Sequence, residues 1–437
     1  MSEAGLTGDD LRDAWPVLSL DERLEGFQHM EREEADDFFL ALPTSEQVFL
    51  LRAMKPGERR LWLRLLPPDD AADLLQVLED DERADYLAQL DDVSRREVAA
   101  LLAYAEDAAG GLMSPRFARL RPDMTVDEAI RYLRRQAREK LETIYDAYVL
   151  DSEQRIKGVV TFRDLFTAPG DKPLAEMMVT DVISVPDTLD QEAVAKVIAE
   201  HDLNALPVVD VEGRMKGIVT VDDIVDVVQH EATEDIQKLG GMEALDTPYM
   251  ETPFLDMVKK RGGWLSALFL GEMLTASAMG HYEAEIARAV VLTLFIPLII
   301  SSGGNSGSQA TTLIIRAMAL GEVSGRDWWL IIRRELAAGF ALGGLLATIG
   351  VLRIFVWQSA FHSYGAAFAR IAITVGLSLV GVVTWGTLTG SMLPFVVKRL
   401  GFDPATASAP FVATLVDVVG LVIYFNVAQI TLRGVLL

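Results

Sequence analysis

Two acidic residues stand in stretches of sequence where charge is costly. Asp417 lies within TLVDVVGLVIYF and is the only charged residue between Asp403 and Arg433, while Glu272 interrupts an apolar run that begins near Gly263. An ionised carboxylate in mid-bilayer costs several kcal/mol unless it faces water, a cation or a partner, so such residues mark ion or proton paths. The bland counterpart is a protonated carboxyl bonded to a neighbouring helix. Glu272 suits either description; Asp417, near the middle of its run, suits the ion path better.

Other chemistry is harder to support. Gly304-Asn305-Ser306-Gly307 matches the G-x-S-G of a serine nucleophile. Such a serine needs a base within hydrogen-bond reach, and of the histidines, at 29, 201, 230, 281 and 362, none lies within the body of an apolar run, His281 and His362 falling near run ends. No lysine follows the glycines as a P-loop requires. The chain has no cysteine, which excludes disulfides and thiolate metal sites and leaves carboxylates suited to hard cations. The chain is therefore expected not to be an enzyme, and the glycines are expected to break a membrane helix and expose carbonyls beside a pore.

The elements that must carry these residues fall into two halves. Beyond Gly262, five apolar stretches, near 263–281, 289–315, 335–353, 370–397 and 405–432, are long enough to cross a hydrocarbon layer of ~30 Å. Lys259, Lys260, Arg261, Arg316, Arg326, Arg333, Arg334, Lys398 and Arg399 fall in loops on one side, against Arg288, Arg353, Arg370 and Arg433 on the other. By the positive-inside rule the N-terminal half is cytoplasmic and the C-terminus outside. Met1 to Asp10 does not read as a cleavable signal peptide.

The first half repeats. Leu18, Leu42, Leu66 and Leu90 form one column of period 24, Met30, Met54, Leu78 and Leu102 a second, and Phe38, Trp62 and Tyr86 a third. Each unit reads as two short helices, giving an α-helical solenoid. Its surface is acidic: PPDDAADLLQVLEDDERAD alone holds Asp69, Asp70, Asp73, Glu79, Asp80, Asp81 and Glu82. A second duplication pairs IYDAYVLDSEQRIKGVVTFRDLF (144–166) with LNALPVVDVEGRMKGIVTVDDIV (203–225), aligning Gly158 with Gly217, Thr161 with Thr220 and Asp164 with Asp223. Short β-branched runs closed by polar turns, each preceded by a helical stretch, resemble a pair of α/β CBS (cystathionine-β-synthase-type) modules. In adenine-nucleotide-binding CBS pairs the matching Thr and Asp positions, here Thr161, Asp164, Thr220 and Asp223, contact ribose and phosphate; other pairs are empty, and both readings stand.

A net charge of −24 with a mean hydropathy of +0.24 fits an acidic cytosolic half joined to a membrane half. Nucleic acid is excluded as a partner because its phosphates would be repelled.

The order acidic repeat, CBS pair, connector and five spans resembles the MgtE family of magnesium channels. The resemblance rests on YAEDAAGGLMSP (104–115), EATEDIQKLG (231–240), PLIISSGGNSGSQATTLIIRAMALGE (297–322) and GFDPATASAPFVATLVDVVGLVIYF (401–425). It implies a multidomain membrane protein: a helical-repeat N domain over 1–109, CBS modules over 110–172 and 173–240, a connecting helix over 241–262, and an all-α bundle of five helices over 263–437. It further implies a homodimer in the bacterial inner membrane. Asp417 would bind hydrated Mg²⁺ in the pore, with Ala413 and Ala409 lining the same filter. Sensor positions would be Asp69, Asp73, Asp222, Asp223, Glu243, Asp246, Glu251 and Asp403, with ATP as a further ligand if the CBS pair is occupied. Mg²⁺ keeps its waters and binds through few carboxylates. Cytosolic Mg²⁺ would bridge the repelling carboxylates and favour the closed state. A coupled secondary transporter, or a carrier of Co²⁺ or Mn²⁺, is the alternative, since oxygen ligands separate Mg²⁺ poorly from Mn²⁺.

Overall fold

In the first half, helices begin at strictly spaced positions. We describe a computed structural model covering residues 8–137, 141–143, 145–245, 247, 249, 250 and 252–434. After α1 (Gly8–Ala14) come α2 (Leu20–Gln28), α3 (Arg32–Leu40), α4 (Thr44–Ala53), α5 (Pro56–Leu63), α6 (Pro68–Gln76), α7 (Asp80–Gln89) and α8 (Asp92–Leu101). Starts at 20, 32, 44, 56, 68, 80 and 92 halve the 24-residue period into one helix per 12 residues. The reason is visible at the fourth position of each helix. There Arg23, Gln47, Arg59, Arg83 and Arg95 donate back to the carbonyls of Trp15, Phe39, Leu51, Leu75 and Leu87, each eight residues earlier. Each side chain so adds a second donor to a carbonyl at the preceding helix end, which otherwise accepts only a backbone hydrogen bond of 3.2–3.3 Å from the amide three residues on. At the two intervening positions Ala35 and Ala71 are buried, and Phe27, Phe39 and Trp62 cluster in the core with ring centroids 5.0–6.4 Å apart.

After α9 (Ala109–Leu112), two modules of the same build follow. The first holds β1 (Arg119–Leu120), α10 (Val126–Gln136), β2 (Asp146–Leu150), β3 (Ile156–Thr161) and α11 (Phe162–Thr167); the second holds β4 (Val185–Pro186), α12 (Gln191–His201), β5 (Ala205–Val209), β6 (Met215–Thr220) and α13 (Val221–Leu239). In each sheet a short parallel strand joins an antiparallel pair. Val149 faces Gly158 and Val208 faces Gly217, with a register shift at the same point in both copies. These glycines have no room for a side chain: a Cβ on Gly158 would meet Met178 at 2.7 Å, and one on Gly217 would meet the Ser114 carbonyl at 2.7 Å.

The chain divides into two units, Met1–His230 and Glu231–Leu437, each described by itself here. In the second unit α14 (Phe254–His281) and α15 (Glu283–Arg288) precede α16 (Ile296–Ala319), α17 (Trp328–Phe361), α18 (Phe368–Arg399) and α19 (Ala409–Thr431). Among the described residues four segments, Val290–Ala319, Trp328–Phe361, Gly365–Arg399 and Ala409–Thr431, are long and apolar enough to cross a membrane. Helix α14 has the length but carries Lys259, Lys260 and Arg261 in its first turns.

Two expectations need correction. Residues 241–262 do not form a separate connecting helix. Gly241, at φ +73°, ends the preceding helical segment. The described residues up to Pro253 are irregular, and from Phe254 one helix runs through to His281. Nor do the glycines at 303, 304 and 307 break their helix, since α16 is continuous across them. They let helices touch instead. A Cβ on Gly386 would collide with the Gly303 carbonyl and one on Gly390 with that of Gly307, while the Thr311 hydroxyl donates to the Gly390 carbonyl at 2.9 Å. Small residues four apart on both helices give lipid-embedded helices this backbone approach.

Candidate cation sites

In the membrane unit, Asp417, Ala413 and Ala409 recur every fourth residue and so share one face of α19. That face meets α16. A Cβ on Gly304 would lie 3.5 Å from the Ala413 Cβ and 4.0 Å from Asp417 Oδ1, and the Ser308 hydroxyl donates to the Ala409 carbonyl at 3.3 Å. Ser308 is a contact that no sequence motif identified. From the other side α14 approaches closely enough that a Cβ on Gly271 would touch Thr414 at 2.7 Å, and this brings the Glu272 carboxyl beside that of Asp417. The two carboxylates singled out in sequence, 145 residues apart, thus lie beside each other. Asp417 is half-buried and Glu272 exposed. A pair of adjacent carboxyls in an apolar bundle calls for a cation or protons between them.

The first unit gathers a second set. Helix α6 presents Asp69, Asp70 and Asp73, and α13 presents Asp222, Asp223 and Asp226. Asp69 is 5% exposed, and its Oδ1 has no hydrogen-bond partner among the described residues. Burial pushes the Asp69 carboxyl up to about 9, with Glu142 and Asp223 adding repulsion. Burial likewise raises Asp73 to about 7, helped by Asp70, Asp223 and Glu106. Asp223 rises to about 7 mainly through burial, opposed by the Thr220 hydrogen bond, and Asp70 to about 6, through burial and then Glu142. Near neutral pH the cluster therefore holds protons, which a dication can displace. No three carboxylates among the described residues converge tightly enough to hold a metal ion directly.

Sequence reasoning missed Glu142, Glu106, Asp70 and Asp226 as members of this set. Asp70 and Asp226 could have been found, since each lies within one helical turn of a named aspartate. Glu142 could not. It arrives through the fold, accepting from the Ser114 hydroxyl at 3.0 Å while Ser114 exchanges backbone hydrogen bonds with Ile218.

The remaining sensor candidates are dispersed. Asp403 caps the Ala405 amide at 2.8 Å and pairs with Lys238 at 2.7 Å, so a protein cation already occupies it. Glu243 is exposed. Asp246 and Glu251 lie outside the described residues. In the CBS modules the Thr161 hydroxyl donates to Asp164 at 2.7 Å and that of Thr220 to Asp223 at 2.6 Å. Both pairs are equivalent in the two copies, and Asp223 belongs also to the acidic cluster.

Comparison with known proteins matches this architecture throughout. Sequence models for a "Divalent cation transporter" family (MgtE), the "MgtE intracellular N domain" and the "CBS domain" match residues 296–427, 7–107, and 109–171 with 174–230. A "Magnesium transporter MgtE" from Thermus thermophilus is 43% identical over 339 residues, 78% of this chain and 73% of that protein. One from Enterococcus faecalis is 36% identical, over 77% and 72%. A crystal structure of "the cytosolic domain of the Mg2+ channel MgtE in complex with ATP" aligns with TM-score 0.48 at 41% identity, covering 51% of this chain and 90% of that one. With its acidic helical domain, paired CBS modules and apolar helical bundle, the chain belongs to the MgtE family of magnesium transporters.

Proposed function

We propose that the chain forms a homodimeric, Mg²⁺-selective channel of the bacterial inner membrane. It imports Mg²⁺ down its electrochemical gradient and closes when cytosolic Mg²⁺ occupies the carboxylate cluster of the first unit. In this reading α14 is a fifth span, the first unit is cytoplasmic and the C-terminus lies outside. Asp417 from each subunit flanks the pore, with Ala413 and Ala409 as its lining. At 100 mV the membrane potential contributes about 4.6 kcal/mol to inward movement of a dication, so no fuel is needed. Lys238 and Asp403 supply a route for gating. The end of α13 is tied to the loop that starts α19, and Leu239 packs beside Ala405 and Ala407. ATP is a second ligand in this proposal, held at Thr161, Asp164, Thr220 and Asp223. Sharing Asp223 would couple nucleotide to cation.

The observation that carries the proposal is Asp417, a carboxylate in an otherwise apolar helix. Mg²⁺ uptake into proteoliposomes tests it: wild type should conduct, and Asp417→Ala and Asp417→Asn should fall to background. Conduction by both variants would overturn it.

Coupled transport is favoured by one observation, the contact of Glu272 with Asp417, because two carboxyls can exchange protons for a dication. Uptake that follows an imposed pH gradient, and loses that dependence in Glu272→Gln, would select this reading.

A further inference from the structure

The membrane unit carries its positive charge at one end. Helices α16 and α18 run parallel, since Gly303 abuts Gly386 and Gly307 abuts Gly390. Helix α17 runs antiparallel to α18, with Gly339 against Thr384 and Thr387 and Gly350 against Leu379 and Val375. The C-terminal turns of α16 and α18 and the first turns of α17 therefore share one end of the bundle. There Arg316, Arg326, Arg333, Arg334, Lys398 and Arg399 are all exposed, and among the described residues none of the six forms an ion pair with a carboxylate.

Helix-end electrostatics account for only some of them. Arg316, Lys398 and Arg399 occupy last turns, where the helix dipole favours cations. Arg333 and Arg334 are the sixth and seventh residues of α17, near its positive end, where the same dipole gives a cation nothing. The acids in that stretch are few. Asp327 is committed to the amide and hydroxyl of Ser324, and Glu322 and Glu335 remain. Directly ahead of the two arginines Trp328 and Trp329 stand exposed, their ring centroids 5.7 Å apart. Indoles favour the headgroup level of a bilayer. The opposite end is built otherwise: Arg353 lies over Trp357 with its Nη1 3.5 Å from the Tyr364 hydroxyl, and Arg370 donates to the Arg433 carbonyl at 3.5 Å.

We infer that the first turns of α17, together with Arg326, form a docking surface for anionic phospholipid headgroups, with Arg326, Arg333 and Arg334 as the phosphate-facing cations and Trp328 and Trp329 as the interfacial anchor. Arginine presents a planar set of donors that matches phosphate, and basic residues beside a membrane are drawn to an anionic surface. In a protein of net charge −24 this local excess is what allows an acidic lipid to approach.

The test reconstitutes the full chain in phosphatidylcholine containing equal mole fractions of either brominated phosphatidylglycerol or brominated phosphatidylcholine, and reads tryptophan quenching. Brominated phosphatidylglycerol should quench wild type more strongly. The preference should vanish in the R326Q/R333Q/R334Q triple variant and in high salt, and persist in R326K/R333K/R334K and in Arg353→Gln at the far end. Removing the reporters with W328F/W329F should remove the difference. Equal quenching of wild type by both lipids, or a preference kept by the glutamine variant, would overturn the inference. A matching thermal midpoint shows that the glutamine variant is folded.

Discussion

The Arg83 guanidinium reaches back eight residues to the Leu75 carbonyl at 2.8 Å, and its Nη2 donates to the carbonyls of Gln76 at 3.2 Å and Leu78 at 3.0 Å. One side chain so closes the end of α6 and fixes the start of α7. Arg83→Ala removes one donor from each of three carbonyls in a partly buried turn, of which Leu75 keeps its backbone partner, the Leu78 amide, at a cost of roughly 1–3 kcal/mol. Arg83→Lys should recover little, because one ammonium cannot span the three acceptors. Chemical denaturation of the first unit's helical signal in both variants checks this.

Helix contact in the membrane unit gives a sharper contrast. Gly390→Ala forces a methyl group into the Gly307 carbonyl, whereas Gly344→Ala meets nothing within 4 Å. The first should lower the thermal midpoint in detergent markedly. The second should raise it slightly, since alanine is favoured over glycine in a helix by up to ~1 kcal/mol.

The acidic cluster predicts an unusual pH dependence. Asp69, Asp73 and Asp223 have folded values of about 9, 7 and 7, above the ordinary 3.8. The folded state thus binds more protons than the unfolded one between those limits, and stability falls as pH rises. Without divalent ions the first unit should unfold more readily at pH 8 than at pH 6. Millimolar Mg²⁺ should narrow the gap, and Asp69→Asn should narrow it without any metal. Thermal melts at both pH values, with chelator and with Mg²⁺, decide the matter; a rise in stability with pH would contradict it.

Lys238 bridges Glu234 and Asp403, both partly exposed, so its removal should change overall stability by only about 1 kcal/mol. Its effect should appear in gating. Lys238→Met should shift the cytosolic Mg²⁺ concentration that halves conduction, measured in patches, and the exchange K238D/D403K should restore it.

Much of this molecule could be read from its residues, and the gaps have physical causes. Asp417 stood out because a carboxylate in an apolar helix is costly without water, a cation or a partner, but its nearness to Glu272 could not be read from either stretch. The 24-residue period was legible, but its halving was not: Ala35 and Ala71 interrupt the series of long fourth-position donors, so helices that occupy equivalent places look unlike in sequence. Glycines in α16 read as a break because glycine weakens helices in water; between helices in lipid the same residue permits contact. The connector seemed a separate helix because its basic residues ended the apolar run, yet backbone hydrogen bonding ignores that boundary. Glu142 left no trace in local pattern, since its position beside Asp69 depends on how the CBS sheet is wound. Asp403 looked available until Lys238, 165 positions earlier, was found beside it.

Where α16 and α18 abut, backbone against backbone at Gly303, Gly307, Gly386 and Gly390, no lubricating layer of flexible side chains separates them, and they form a tightly packed frame. Helix α14, by contrast, buries none of its residues. The opening stroke of the proposed channel is therefore expected of α14, which can slide or tilt against that frame and carry Glu272 toward or away from Asp417 like a latch.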